Sequence, residues 1–175
     1  MKRFFIWPSI YLSAFIFALL TAGPAHAQTA GSDEINLFVG QHLPAGIAGI
    51  DDMMPVFGGR VGIATNKMGL AEIGLFNTHA LGVDFSTLEL GLQGSLPFSP
   101  GLDGLYYGGV DLNYYREVGS DIRKAEFGYH AGAAAMLSIT DTFWLRGDLK
   151  FMAGPGTSLY LLFGFVFRTS SGSSN

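Results

Sequence analysis

Ten ionisable side chains in this sequence fall where an extended chain would put them on one face: Glu34, Arg60, Glu72, Glu89, Asp111, Glu126, His130, Arg146, Asp148 and Lys150. Six carboxylates, three permanent cations and a histidine, enclosed together, could do one of three things. They could pair into a network that fills space, because isolated buried charges are costly and survive only with partners. They could line a water path favouring cations, since the acids outnumber the bases. A histidine among carboxylates could also act as a general base or a metal ligand. Register suggests Arg60 near Glu72, and Arg146 or Lys150 near Asp111, Glu126 or Glu34, which favours the ion-pair plug.

Hydrolytic chemistry needs a nucleophile within reach of a base. His130 is followed by Ala131 and Gly132, with no serine at the second position, and lies four residues from Glu126. It reads as a satisfied interior histidine. His79 has Asn77, Thr78 and Asp84 nearby, and Ser86 is its nearest serine. That is a more exposed but ordinary grouping, so no catalytic residue is assigned. His42 and His130 are the two interior histidines, and spacing supplies no third ligand beside them, so neither a metal nor a cofactor is expected. Asp51 and Asp52 read as a solvated loop. With no cysteine in the chain, disulfides and thiolate sites are excluded.

Eight segments alternate apolar and polar residues with period two: Glu34–Leu43, Val56–Thr65, Gly69–Phe76, Phe85–Leu96, Leu105–Tyr115, Ala125–Leu137, Phe143–Met152 and Ser158–Arg168. In the last, Leu159, Leu161, Phe163, Phe165 and Phe167 share one parity, while Ser158, Tyr160, Leu162, Gly164 and Arg168 share the other. Successive side chains on a strand point to opposite faces, so each segment is a ribbon with one apolar face. A helix needs ~20 apolar residues to cross a bilayer, whereas about ten suffice for a tilted strand. Between these segments, Pro44–Pro55, Thr65–Lys67, Asn77–Asp84, Pro97–Gly104, Arg116–Lys124, Ser138–Thr142 and Ala153–Thr157 read as loops and turns from their proline, glycine and polar content.

Every charge within these segments lies on the parity opposite the apolar one. A basic residue on a lipid face costs roughly 2–4 kcal/mol at the midplane, which selects against any such placement. The charged face must therefore be the enclosed one, and the strands must close, because an open edge in hydrocarbon leaves backbone groups unpaired. The expected fold is all-β, an eight-stranded antiparallel up-and-down transmembrane β-barrel with both termini at the periplasmic end. Outward aromatics gather at two levels, Tyr106, Phe143, Phe165 and Phe167 low and Tyr114, Phe127, Tyr129 and Phe151 high, as in a double membrane girdle.

The N-terminus places Lys2 and Arg3 before an apolar run from Phe4 to Leu20, with Ala25-His26-Ala27 after it. These are the parts of a cleaved secretory signal peptide. The expected organisation is a signal over 1–27, a barrel over 28–168 and a polar tail over 169–175. Losing Lys2 and Arg3 leaves eight basic against fourteen acidic residues, a net charge of −6, which argues against nucleic-acid binding. The chain is 49% hydrophobic and 14% charged, fitting apolar residues dispersed by alternation.

The leader, the eight alternating strands and the aromatic-rich last strand resemble the small outer-membrane barrels of Gram-negative bacteria, the OmpA-transmembrane-domain and OmpX-like group. The resemblance implies an outer-membrane location, lipid as the surrounding partner, and a last strand read by the barrel-insertion machinery. Phe165 and Phe167 fit that last-strand pattern, whereas Arg168 and the tail Thr169–Asn175 extend past it. Some small barrels of this kind act on the acyl chains of lipid A, one of them a deacylase with a His-x-Ser pair on a strand, which the His130 segment lacks.

On the sixth segment Ala131, Ala133 and Ala135 form a smooth outward stripe, and Gly59, Gly108 and Gly147 add small outward positions. Small residues allow close approach in lipid, which makes the stripe a candidate barrel–barrel contact. The expected role is non-enzymatic, envelope structure or surface interaction, with homo-oligomerisation in view. The alternatives are a porin-like oligomer handling or enclosing lipid or small solutes, and an enzyme acting on acyl lipid.

Overall fold

In the computed structural model, residues 32–45, 53–66, 69–80, 82–117, 119, 123–154 and 156–169 are described. The expected leader and most of the expected tail lie outside them, as do Asp51 and Asp52. Period-two alternation yields eight strands: β1 (Glu34–Ala45), β2 (Met54–Asn66), β3 (Gly69–Ala80), β4 (Val83–Ser99), β5 (Leu102–Glu117), β6 (Arg123–Ser138), β7 (Phe143–Ala153) and β8 (Thr157–Arg168). Each pairs antiparallel with its neighbours, and β8 returns to β1, so the sheet is a closed barrel without an edge. The seam runs from Glu34 opposite Arg168 to Ala45 opposite Thr157.

Three segments read as loops are strand. β3 runs to Ala80 and β4 begins at Val83, so both take in most of Asn77–Asp84. β4 and β5 continue through most of Pro97–Gly104, and β5 and β6 take in both ends of Arg116–Lys124. Composition signalled turns there, but cross-strand polar pairs such as His79 with Asp84 hold the strands extended beyond the apolar belt. Gly82 and Gly101 supply the left-handed φ values, 90° and 81°, that the tight turns require. Pro97 is accommodated where the β4–β5 register shifts, since proline cannot donate to a regular ladder.

The two faces separate as the parity demands. Leu37, Phe57, Leu90, Val110 and Phe165 point outward and are exposed, while Arg60, Glu89, Asp111, Arg146 and Lys150 are buried inside. The aromatics expected to form a girdle all lie on the outward parity. Phe143 packs on Phe165 and Phe167 with ring centroids 5.6 and 5.2 Å apart, and Tyr106 lies over the outward face of Gly94.

The interior is not uniformly polar. Towards the chain termini, Leu105, Met136, Trp144 and Val166 form one apolar layer. Towards the opposite rim, Phe38, Val56, Phe76, Phe85, Met152, Tyr160 and Leu162 form another, with His42 stacked on Tyr160 at 4.3 Å. Arg60, Glu72, Glu89, Asp111, Arg146, Asp148 and Lys150 gather between these two layers, in keeping with an eight-stranded interior just wide enough for side chains to fill.

Candidate functional site

The central charges are placed by one row of register partners, Arg60, Gly74, Glu89, Asp111 and Gly128, running across β2 to β6. Arg60 has no side chain beside it at Gly74, so it reaches over that glycine to Glu89. Its Nε donates to Glu89 Oε1 at 2.5 Å, and its Nη1 donates across the lumen to Asp148 Oδ1 at 3.2 Å. A Cβ at Gly74 would lie 2.6 Å from Glu89 Cγ, so the glycine is needed for this passage.

Glu89 and Asp111 face each other as cross-strand partners, an arrangement that repels unless a cation intervenes. Lys150 intervenes from β7. Its ammonium donates to Glu89 Oε2, lies 3.7 Å from Asp111 Oδ1, and sits over the Phe76 ring at 4.4 Å. His130 Nδ1 donates to Asp111 Oδ1 at 2.8 Å. Arg146 completes the network, donating from Nη2 to Asp148 Oδ1 at 2.8 Å and from Nη1 to Gln93 Oε1 at 2.7 Å and Glu72 Oε1 at 3.3 Å. Tyr107 lies between the two guanidiniums, with Arg60 5.5 Å and Arg146 5.3 Å from its ring centre.

One expected pairing holds, Lys150 near Asp111, and another is corrected. Arg60 bonds Glu89 and Asp148 rather than Glu72, whose oxygen goes to Arg146. His130, read as a satisfied interior histidine, bonds Asp111. Glu34 and Glu126 stand apart from the central network. Glu34 accepts from Arg168 at the terminal end, where Arg168 also lies over the Trp144 ring at 4.4 Å and 3.7 Å from Asp103. Glu126 accepts from the Tyr115 hydroxyl at 2.6 Å near the other rim. Gln93, Tyr107, Asp103 and Arg168 were not singled out from sequence. Parity already put Arg168 and Gln93 on the inner face, so a rule admitting every inward polar residue would have found them.

Glu89, Asp111 and His130 bring one ligand atom each within 4.8 Å of the others, a grouping of the kind a metal uses, though sequence spacing suggested none. The Lys150 ammonium is already bonded between the two carboxylates, so a metal there would have to displace it. The group therefore functions as an internal ion pair with its own cation.

Outside the belt, His79 Nδ1 donates to Asp84 Oδ1 at 2.5 Å and Arg116 Nη2 donates to Asp84 Oδ2 at 3.0 Å. These bonds, the one from His79 foremost, hold the Asp84 carboxyl below the usual range. Ser86 Oγ donates to Asn77 Oδ1 at 2.6 Å rather than to His79, so no nucleophile–base relay is formed. These residues, with Phe57, Thr78 and Tyr114, line a cleft of about 360 Å³.

Of the alanine stripe, Ala133 and Ala135 line an outward groove of about 520 Å³ with Gly147, Phe98, Tyr106 and Leu149, and Ala131 lies beyond it.

No protein-family model matches the sequence, and no curated protein matches it significantly. Solved structures do share its fold. The N-terminal β-barrel domain of Pseudomonas aeruginosa OprF superposes with a TM-score of 0.68 at 18% identity, over 81% of this chain and 100% of that one. Neisserial surface protein A gives 0.67 at 11% identity, over 78% and 97%. Ail, the attachment invasion locus protein of Yersinia pestis, gives 0.56 at 12% identity, over 81% and 100%. The fold is that of the small eight-stranded outer-membrane β-barrels.

Proposed function

We propose that this chain is an integral protein of the bacterial outer membrane with a non-enzymatic structural or surface-interaction role, its lumen closed by its own side chains. The observation that carries this is the layering of the interior, a paired ion network between two apolar layers, enclosed by an exposed apolar surface. Burying charge inside and apolar residues outside is unfavourable in water and favourable in lipid. In this reading the leader directs export, outer-membrane lipid covers the belt, and the barrel-insertion machinery receives β8 despite the residues after Phe167. The commitment of Ser86 to Asn77 and of Lys150 to Glu89 supports the non-enzymatic part. The test is fractionation of cells producing the full chain, with heat-modifiable migration of the folded barrel. Recovery with the outer membrane supports the proposal, and recovery of folded protein as a soluble species contradicts it.

A second reading, self-association through the groove over Ala133, Ala135 and Gly147, has that groove in its favour, since small residues let two barrels approach. Native mass determination in lipid distinguishes the two. An oligomer lost in Ala133→Phe supports the contact, and a monomer under all conditions removes both it and the porin-like oligomer.

A further inference from the structure

At the rim opposite the termini, the outward residues of β2 to β6 fall into rows that follow one another away from the belt. The first row, Gly59, Leu75, Leu88, Leu112 and Phe127, is apolar or small. The second, Phe57, Asn77, Ser86, Tyr114 and Ala125, mixes aromatic and neutral polar groups. The third, His79, Asp84, Arg116 and Arg123, is ionisable throughout. Outward rows are two residues apart, about 7 Å along a strand. The charged row thus begins about 7 Å beyond an aromatic of the girdle, at the outer side of the headgroup layer in which such aromatics sit.

The charges in this row do not balance. Asp84 is shared between His79 and Arg116. Arg123 is the direct cross-strand partner of Arg116, a like-charge pairing that costs stability unless an anion lies between. Among the described residues Arg123 has no acidic partner, while Lys124 next to it takes the inner parity, its ammonium 5.9 Å from the Tyr115 ring centre. Below them, the 360 Å³ cleft offers the Ser86 hydroxyl, the Asn77 amide and the rings of Phe57 and Tyr114. Guanidiniums above, and beneath them one row in which the Asn77 amide donates, the Ser86 oxygen accepts and the rings of Phe57 and Tyr114 flank both, match a phosphate above its glycerol or sugar and the start of an acyl chain.

We propose that this row and the cleft beneath it dock one anionic, phosphate-bearing lipid headgroup from the surrounding leaflet. The inference rests on the membrane reading above and deepens it by naming the lipid class and its place on the barrel. The anion offsets the Arg116–Arg123 repulsion, and Asp84 orients Arg116 and His79 so that the remaining guanidinium donors face outward.

The test is native mass spectrometry of the mature chain released from nanodiscs of phosphatidylcholine containing phosphatidylglycerol as a minor component. The wild type is expected to retain one phosphatidylglycerol well above its share of the bilayer. Each of Arg116→Ala and Arg123→Ala is expected to lower that enrichment about fivefold, the effect of one basic residue near a headgroup layer. Arg123→Lys should keep most of it. Inorganic phosphate at millimolar concentration should not displace the lipid; displacement would make the site one for a free anion and overturn the lipid assignment. Equal enrichment in wild type and both alanine variants, all folded by heat-modifiable migration, also overturns it. A wild type that inserts and shows no enrichment defeats this inference alone, whereas one that cannot enter the nanodisc defeats the membrane reading as well.

Discussion

Arg168, the last residue of β8, bonds Glu34, the first residue of β1, with Nη2 and Oε1 2.6 Å apart across the seam that closes the barrel. Both side chains are buried, and the guanidinium also lies over Trp144, beneath the lower apolar layer. The residue that follows the terminal aromatic is thus the inner latch of the seam.

Removing one partner of a buried pair leaves the other charge uncompensated, which costs about 3–5 kcal/mol. Arg168→Ala and Glu34→Gln should each lower stability on that scale, measured by denaturant unfolding of the barrel in lipid vesicles. The double variant should lose less than the sum, because neither charge then remains unpaired.

Gly74→Ala should be destabilising by about 1–3 kcal/mol, because the new methyl intrudes on the path from Arg60 to Glu89. Gly62→Ala is the control. Its Cβ would meet its nearest neighbours at 3.4–3.8 Å, ordinary contact, so its unfolding midpoint should stay close to wild type.

How much of this was legible in the sequence depends on whether the signal was local. Parity assigned Leu37, Leu90 and Phe165 to one face and Arg60, Glu89 and Arg146 to the other, because side-chain alternation is a property of each strand alone. The ion partners were not legible in the same way. The partner of Arg60 is Glu89 because Gly74 stands between them, and Asp148 reaches Arg60 only through barrel closure. Strand ends at Asn77–Asp84 were missed because exposed strand extensions carry the same polar residues as loops. The two apolar layers are not legible in the sequence because Phe38, Phe76, Trp144 and Val166 share the parity of the charges, and parity alone does not tell height along the lumen.

Leu90 is exposed near the middle of β4, in the apolar belt. Leu90→Arg should cost roughly 2–4 kcal/mol in vesicles if lipid covers that position. The same substitution at Phe98, near the β4 terminus, should cost markedly less. Equal small losses at both positions would argue that no hydrocarbon covers Leu90.

The Asp84 cluster makes stability depend on pH with a defined sign. Its carboxyl titrates lower in the folded barrel than its ordinary value of 3.8, so the cluster stabilises the fold above that pH. That contribution is lost as pH falls through the lower folded value. Unfolding curves of wild type and Asp84→Asn should therefore differ at neutral pH and converge in acid below pH 3.8. A gap that widens on acidification would reverse the assignment.

The closed lumen is tested most directly by planar-bilayer recording of purified, monomeric barrel at single-molecule sensitivity. Because Phe76, Tyr160, Met136 and Trp144 cap the Arg60–Glu89–Lys150–Arg146 network from both sides, the expected record has no stable conductance steps. Reproducible steps from the monomer, abolished when the protein is unfolded, would contradict a lumen filled by its own side chains.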